Sequence, residues 1–215
     1  MDLSRFHDEI TFGVNGFYKH NQAASCQPAY YCLSPEVFFD GSDSSQTFLK
    51  ELQAIITKSI FYIPLLGNAQ NIVRDGSLPL ERTRFIPHNG SLVKDEIKRV
   101  DLLGPIPGGV NIVQEAILVA FHLGCNPIYL LGVEHDFLVK DTGWQHFYRH
   151  FARHPTFRYF DQWTYYEKIR STLQLWDCYL TIAKYAQQND LRIINLTPGS
   201  YLDVFEMGSL EEVLR

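Results

Sequence analysis

The chain has 215 residues, of which 46% are hydrophobic, 14% aromatic and 20% charged. This length and composition predict a single globular domain over residues 1–215 and exclude a disordered chain. The formal net charge is −5 and the sequence pI is about 5.9. We therefore expect no nucleic-acid polymer and no anionic membrane surface as a partner.

The N-terminal residues and the cysteines predict the cellular compartment of the protein. Residues 1–5 lack the apolar stretch of a signal peptide, and no apolar run approaches the roughly 20 residues of a membrane span. The four cysteines form no C-x-x-C pair, which is typical of buried thiols in a reducing compartment. The sequence therefore predicts a cytoplasmic protein without a membrane span.

The first half of the chain alternates short apolar runs with one clear helical pattern. Residues 44–57 carry Phe48, Leu52 and Ile55 at helical spacing after capping Ser and Asp residues. The strands predicted in this half are 9–15, 28–33, 59–64, 84–86 and 100–103.

The second half continues the alternation. Residues 105–109 read as a loop. The helix that follows begins near Val110 and ends at Gly124, and its predicted buried residues are Val110, Val113, Ile117, Ala120 and Phe121. A helix is predicted over 161–188, with one stripe formed by Ile169, Leu173, Trp176, Leu180 and Ala183. The remaining predictions are strands at 128–133 and 191–195 and a short terminal helix capped by Ser209.

Strands alternating with helices predict a parallel sheet with right-handed crossovers. The fold class expected is therefore α/β, with a Rossmann-like, mainly parallel sheet and helices on both faces. Ligands of such sheets bind beyond the carboxyl ends of the strands, so the residues that follow each strand are the candidates for function.

Two strand ends are candidates for nucleotide binding. Asn15 offers both a donor and an acceptor to a base or a sugar hydroxyl, although Asn15-Gly16 also reads as a plain turn. Gly108 and Gly109 precede a helix whose free N–H groups and dipole attract phosphate, with Asn111 beside them. The alternative for the glycines is a tight turn without a ligand.

The strand at 128–133 is followed by a carboxylate, an imidazole and a second carboxylate. His135 and Asp136 are predicted catalytic residues for proton transfer, and Glu134 and Asp136 are predicted ligands of Mg²⁺. Downstream, His146 and His150 could share a ligand on one helical face, with His154 one turn further. A packed, partly solvated helix is the alternative for these three histidines.

The last predicted strand ends in a Pro-Gly turn. This turn exposes Asn195 and Thr197 beside the other strand ends, and Pro198 and Gly199 complete it. We predict that these four residues contribute to ligand binding.

Taken together, four segments resemble one family. They are Ile10-Thr11-Phe12-Gly13-Val14-Asn15, Gly108-Gly109-Val110, 128–135 and 194–205. In this order they resemble the 6-hydroxymethylpterin diphosphokinase (MptE)-like Rossmann proteins, many of which lie among surface-polysaccharide genes. They are more distantly similar to bacterial lipooligosaccharide sialyltransferases, which use a CMP-sugar donor.

The resemblance carries expectations for the site. It implies that Asn15 lies at the nucleotide-sugar, that Gly108 and Gly109 form the donor-contacting loop, and that residues 195–199 edge the same cleft. This chain lacks the first strand and glycine-rich loop that these relatives usually have. Between Tyr165 and Leu175 it also lacks the His that the sialyltransferases use as a base.

Three functions follow as hypotheses. The first is a glycosyltransferase-like enzyme that binds a nucleotide-activated sugar in cell-surface polysaccharide synthesis. The second is a diphosphokinase that moves pyrophosphate from ATP to a pterin alcohol with Mg²⁺. The third is a non-catalytic Rossmann module, in which a second copy covers the apolar surface left by the missing strand and forms a homodimer.

Overall fold

The structure is a computed structural model that describes residues 2–67, 69, 71, 76–136, 139 and 162–213. The strands are β1 Phe12–Val14, β2 Tyr30–Cys32, β3 Ile60–Pro64, β4 Thr83–Ile86, β5 His88–Ser91, β6 Ile106–Gly108, β7 Ile128–Leu130, β8 Ile193–Asn195 and β9 Glu206–Met207. The α-helices are α1 Pro35–Phe38, α2 Asp43–Ile55, α3 Ile112–His122, α4 Tyr165–Gln188 and α5 Leu210–Val213. Short 3-10 helices span Leu3–Phe6, Asn15–Lys19 and Leu80–Arg82.

All strand pairs of the described residues are parallel. The first sheet has the order β1-β2-β3-β4, and a second sheet has the order β7-β8-β9. Strand β5 follows β4 after Pro87 and pairs with β6. The fold is thus Rossmann-like α/β with a parallel arrangement, as the alternating pattern predicted.

Alternation along the strands divides the core into two clusters. Cys32 and Tyr62 lie in the cluster formed with helices α3 and α4, whereas their neighbours Tyr31 and Phe61 lie in the cluster formed with α2. The first cluster also includes Leu130 of β7 and so joins both sheets. Because successive strand side chains point to opposite faces, the helices cover the strands of the first sheet from both sides.

Local capping explains where the main helices begin. Ser42 accepts a hydrogen bond from the backbone N–H of Ser45 at the start of α2. At the start of α4, Thr164 and Glu167 form a capping box, in which each side chain accepts from the other residue's backbone N–H. These caps fix the helix starts that the sequence predicted only to within a few residues.

Three local predictions are wrong. Residues 100–103 form turns and bends rather than a strand, and 105–109, predicted as a loop, contain β6. Val110, predicted to be buried, precedes α3 and is largely exposed. Strand β6 is Gly- and Pro-rich and depends on its pairing with β5, which a local pattern does not reveal.

Helix α4 buries a different face from its most regular apolar stripe. The buried residues are Leu175, Cys178, Tyr179, Ile182 and Ala186. Ile169, Leu173 and Leu180 of the predicted stripe are largely exposed instead. Helix periodicity alone finds both faces but does not decide which one meets the sheet.

Each sheet ends in strands that have one partner strand only among the described residues. Strand β1 pairs only with β2 and β4 only with β3, and in the second sheet β7 and β9 each pair only with β8. Strands β5 and β6 pair only with each other.

Over the same described ranges, none of the helices combines the length and the apolar character that crossing a bilayer requires. The predictions for His146, His150 and His154 lie outside the described residues.

Candidate functional site

Asn15 connects the loops that follow β1 and β2. Its φ of 43° is in the left-handed region, which Asn adopts more readily than most residues. Its Oδ1 accepts a hydrogen bond from the Ser34 backbone N–H at 3.1 Å, and its carbonyl oxygen accepts one from Tyr31 Oη at 2.7 Å. The side chain predicted to contact a nucleotide thus holds two loops together.

The glycine pair follows β6 in close contact with neighbouring side chains. A Cβ added at Gly108 would lie 2.6 Å from His88 Nδ1, and one added at Gly109 would lie 2.8 Å from Gln114 Oε1. Both distances are too short for a side chain at these positions. The packing of His88 and Gln114 is therefore a sufficient reason for glycine here, independent of any ligand.

The N–H groups of this loop are bound by side chains at the start of helix α3. Gly109 donates to Glu115 Oε1 at 2.7 Å, and Val110 donates to Gln114 Oε1 at 2.9 Å. Asn111 caps the helix by accepting from the Val113 N–H at 2.6 Å. Phosphate binding at this loop remains a prediction, and it requires a phosphate oxygen to replace the Glu115 carboxylate.

Glu115 also forms a buried hydrogen bond with His88. His88 Nε2 donates to Glu115 Oε2 at 3.0 Å, and each side chain is only 4% exposed. His88 Nδ1 is buried without a hydrogen-bond partner in the described structure. Polar groups removed from water in this way are costly unless they are hydrogen-bonded, so each partner depends on the other.

Sequence reasoning missed this pair. The available signal was Gln114-Glu115, two polar residues inside the otherwise apolar start of a helix that the structure buries almost completely. A buried carboxylate needs a partner, but the sequence does not reveal that His88, which lies 27 positions earlier, supplies it.

His135 follows β7 and is buried against helix α4. Its Nε2 shares a hydrogen bond of 2.9 Å with Tyr179 Oη, and its ring centroid lies 5.7 Å from that of Trp176. Burial lowers the pKa of His135 to about 4, against an opposing contribution from Asp136. Burial also raises the pKa of Tyr179. At neutral pH the pair is therefore a neutral imidazole and a neutral phenol.

The two carboxylates beside His135 differ from each other in exposure. Glu134 is exposed, whereas Asp136 is partly buried, as His135 is. Across the described ranges, no group of three or more His, Cys, Asp or Glu side chains is arranged to hold a metal ion. Magnesium binding by Glu134 and Asp136 therefore stays a prediction, and it would need ligands from a bound phosphate or from water.

The loop after β8 is held by its own polar side chains. The prediction that the turn exposes Asn195 and Thr197 is wrong, because both side chains are buried and hydrogen-bonded within the chain. The Nδ2 of Asn195 donates to Ser200 Oγ at 2.9 Å and to the Leu202 carbonyl at 3.1 Å. Thr197 Oγ1 accepts from the Val133 N–H at 3.1 Å. The loop after β8 is thereby attached to the loop after β7, while Pro198 and Gly199 form the exposed turn.

Helix α4 brings the glycine loop and the β7 loop together. Gln114 Nε2 donates to the Leu175 carbonyl at 2.9 Å, and His135 contacts Tyr179 one turn further along α4. Burial raises the pKa of Cys178, which lies between them, to about 11, partly offset by a hydrogen bond from the Val110 backbone. Residues 108–111 and 132–136 therefore meet at residues 175–179.

Asn15 belongs to the same end of the molecule. Val14 pairs with Cys32, and burial raises the pKa of the Cys32 thiol with a further contribution from the negative charge of Glu115. The loops carrying Gly109 and His135 are thus connected through α4, and the loop carrying Asn195 is joined to the β7 loop by Thr197. Asn15 follows the β1 residue that pairs with Cys32, at which the charge of Glu115 acts.

No protein-family model, curated protein or solved structure matches this chain.

Proposed function

We propose that this chain is a glycosyltransferase-like protein that binds a nucleotide-activated sugar beyond the carboxyl ends of its strands. The observation that supports the proposal most strongly is the neutral, buried His135, which lies against α4 where the loops after β6, β7 and β8 meet. Parallel α/β sheets bind their ligands at this end. The proposed pathway is cell-surface polysaccharide synthesis, in agreement with the resemblance noted from the sequence.

His135 supplies the chemistry in this proposal. An acceptor hydroxyl oxygen forms a bond to the anomeric carbon of the sugar, while the bond from that carbon to the phosphate oxygen breaks. The proton of the hydroxyl passes to the neutral imidazole, and the nucleotide leaves with the electron pair of the broken bond. A general base of this kind must be unprotonated at working pH, which the lowered pKa of His135 provides.

Calorimetry with a panel of nucleotides and nucleotide-sugars tests the proposal. We expect CMP- or CDP-type ligands to bind the wild-type chain. The His135→Gln variant should retain binding and lose transfer to an acceptor, and His7→Gln, an exposed histidine in the N-terminal segment, should change neither. Absence of nucleotide binding by a folded wild-type chain would overturn the proposal.

A non-catalytic Rossmann module is the second candidate. It is favoured by the hydrogen bonds that Asn15, Asn111, Asn195, Thr197 and the Gly109 N–H already make within the chain. Glu115→Gln separates the two candidates because it removes the negative charge that a phosphate would meet. A nucleotide-binding site should bind more tightly in this variant, whereas a module without a site should bind nothing in either form.

The diphosphokinase alternative is tested by the same titration. It requires ATP to bind in the presence of Mg²⁺ and more weakly without it, because Glu134 and Asp136 would hold Mg²⁺ and the ion would neutralise phosphate charge. Asp136→Asn should then abolish the effect of Mg²⁺. In the glycosyltransferase-like proposal, the affinity for a CMP-type ligand does not depend on these two carboxylates.

A further inference from the structure

The side of helix α4 that faces away from the core carries an exposed apolar row, here called the outer stripe. It consists of Tyr166, Ile169, Leu173 and Leu180, which are 44% to 69% exposed. Trp176, which is half-buried, lies in the same row. Single exposed apolar residues are common, but a continuous row of large ones marks an interaction surface.

The four exposed members of the outer stripe lie outside the core of the described residues, whereas Trp176 packs against that core. With 3.6 residues per turn, the stripe lies about 140° around the helix from Leu175, Tyr179 and Ile182, the buried face. The stripe extends about 21 Å along the axis at 1.5 Å per residue. Among the described residues, packing of the core does not use Tyr166, Ile169, Leu173 or Leu180, which leaves them available to a second surface.

The spacing identifies the kind of surface that fits. Positions 166, 169, 173, 176 and 180 are separated alternately by three and four residues. This is the a/d spacing of a heptad, with which one helix packs along another. The occupant expected on the outer stripe is therefore another amphipathic helix.

The charged residues beside the stripe are complementary to those of a second copy of α4 in antiparallel orientation. Arg170 and Asp177 occupy the same flank, seven residues apart, and the Arg170 guanidinium lies 5.9 Å from the centre of the Tyr166 ring. In an antiparallel pair centred on Leu173, Arg170 meets Asp177 of the partner subunit, and the contact occurs twice by symmetry. In a parallel, in-register pair these two flanks lie on opposite sides of the interface, so Arg170 and Asp177 would not pair.

We propose that two copies of this chain associate through antiparallel packing of their α4 helices along the outer stripe. Leu173 then packs against its symmetry mate, and Tyr166 packs against Leu180 of the partner subunit. The two Arg170–Asp177 pairs fix the register and the orientation. This assembly does not depend on the nucleotide-sugar proposal, because its test measures association of the chain without a ligand. Trp176 of the same row is the point at which the two surfaces approach, since its ring centroid lies 5.7 Å from that of His135.

Analytical ultracentrifugation of the full chain over a range of micromolar concentrations tests the assembly. The wild-type chain should dimerise, and Leu173→Glu should raise the dimer Kd at least about tenfold. Leu173 is exposed, so the variant should retain the circular dichroism spectrum and melting temperature of the wild-type monomer. A wild-type chain that stays monomeric, or a dimer unchanged by Leu173→Glu, would overturn the proposal.

Charge reversal tests the antiparallel register. Arg170→Glu or Asp177→Arg alone places like charges together and should raise the Kd about tenfold. The double variant restores both pairs and should return the Kd to within about threefold of the wild type. Lys58→Glu, an exposed change of equal charge away from α4, is the control and should leave the Kd unchanged. A double variant as weak as either single variant contradicts the antiparallel register.

Discussion

The end of the sheet around Glu115 and the outer side of helix α4 each reverse the usual relation between polarity and burial. Around Glu115, polar and charged groups are buried and bound to one another. On the outer side of α4, large apolar side chains are exposed to solvent. Internal polar contacts therefore stabilise the first region within one chain, whereas the second gains stability only from another molecule.

The largest expected effect is at the buried pair of His88 and Glu115. Glu115→Ala leaves the His88 Nε2–H and the Gly109 N–H without their acceptor, and each buried donor left unsatisfied costs about 1–3 kcal/mol, so the two together cost about 2–6 kcal/mol. Urea denaturation followed by circular dichroism measures the change. Glu206→Ala removes an exposed pair with Arg192 and should cost far less. Equal losses in the two variants would show that the Glu115 pair is not a buried one.

Gly108→Ala tests the close contact beneath the glycine loop. The new Cβ would meet the ring of His88, which is held by Glu115 and unable to move aside. Overpacking of this kind costs about 1–3 kcal/mol in unfolding free energy. Gly104→Ala is the matched control, since its nearest atom is a carbonyl oxygen 4.0 Å away. If both variants have the melting temperature of the wild type, the close contact between position 108 and His88 is absent.

His135 makes stability depend on pH. Its pKa is about 4 in the folded chain, below the ordinary value of 6.5, so the unfolded chain binds the proton more strongly. The contribution is fully present above about pH 6.5 and is lost as pH falls towards 4, amounting to about 2 kcal/mol between pH 7.5 and pH 5. His135→Gln should lose less stability than the wild type over this interval, whereas His7→Gln should lose as much. An NMR titration that gives His135 an ordinary pKa would contradict its burial.

The smallest effect is expected on the outer stripe. Leu173→Ala should change the unfolding free energy of the monomer by less than about 0.5 kcal/mol. Leu175→Ala, two residues away on the buried face, should cost about 2–5 kcal/mol. Both are measured at concentrations below the dimer Kd. Similar costs at the two positions would remove the distinction between the faces of α4.

Much of the fold could be predicted because local patterns carry it. Strand β7 follows from an apolar run bounded by turn residues, and helix α3 follows from a helical pattern that ends before Gly124. Strands β5 and β9 were not predicted, since short polar strands are stabilised by pairing rather than by their own residues. Tertiary contacts decide which stripe of α4 packs against the sheet, so the local sequence pattern does not predict its buried face.

The candidate site could be predicted only in part. Strand ends converge in any parallel sheet, so Asn15, His135 and Asn195 could be singled out as neighbours of the ends. Their hydrogen bonds with Ser34, Tyr179 and Leu202 could not, because these partners are 19, 44 and 7 residues away in sequence. The pairing of Glu115 with His88 could not be predicted for the same reason, because the two residues are distant in sequence.

An amide NMR map of the isotope-labelled chain during titration with CMP- or CDP-sugars tests the central claim most directly. Nucleotide-sugar binding at the carboxyl ends of the strands should shift the signals of residues 15–16, 108–111 and 132–136 together and leave those of α5 unchanged. Shifts confined to other parts of the chain, or none at saturating ligand, would contradict the claim that these loops form one nucleotide-sugar site.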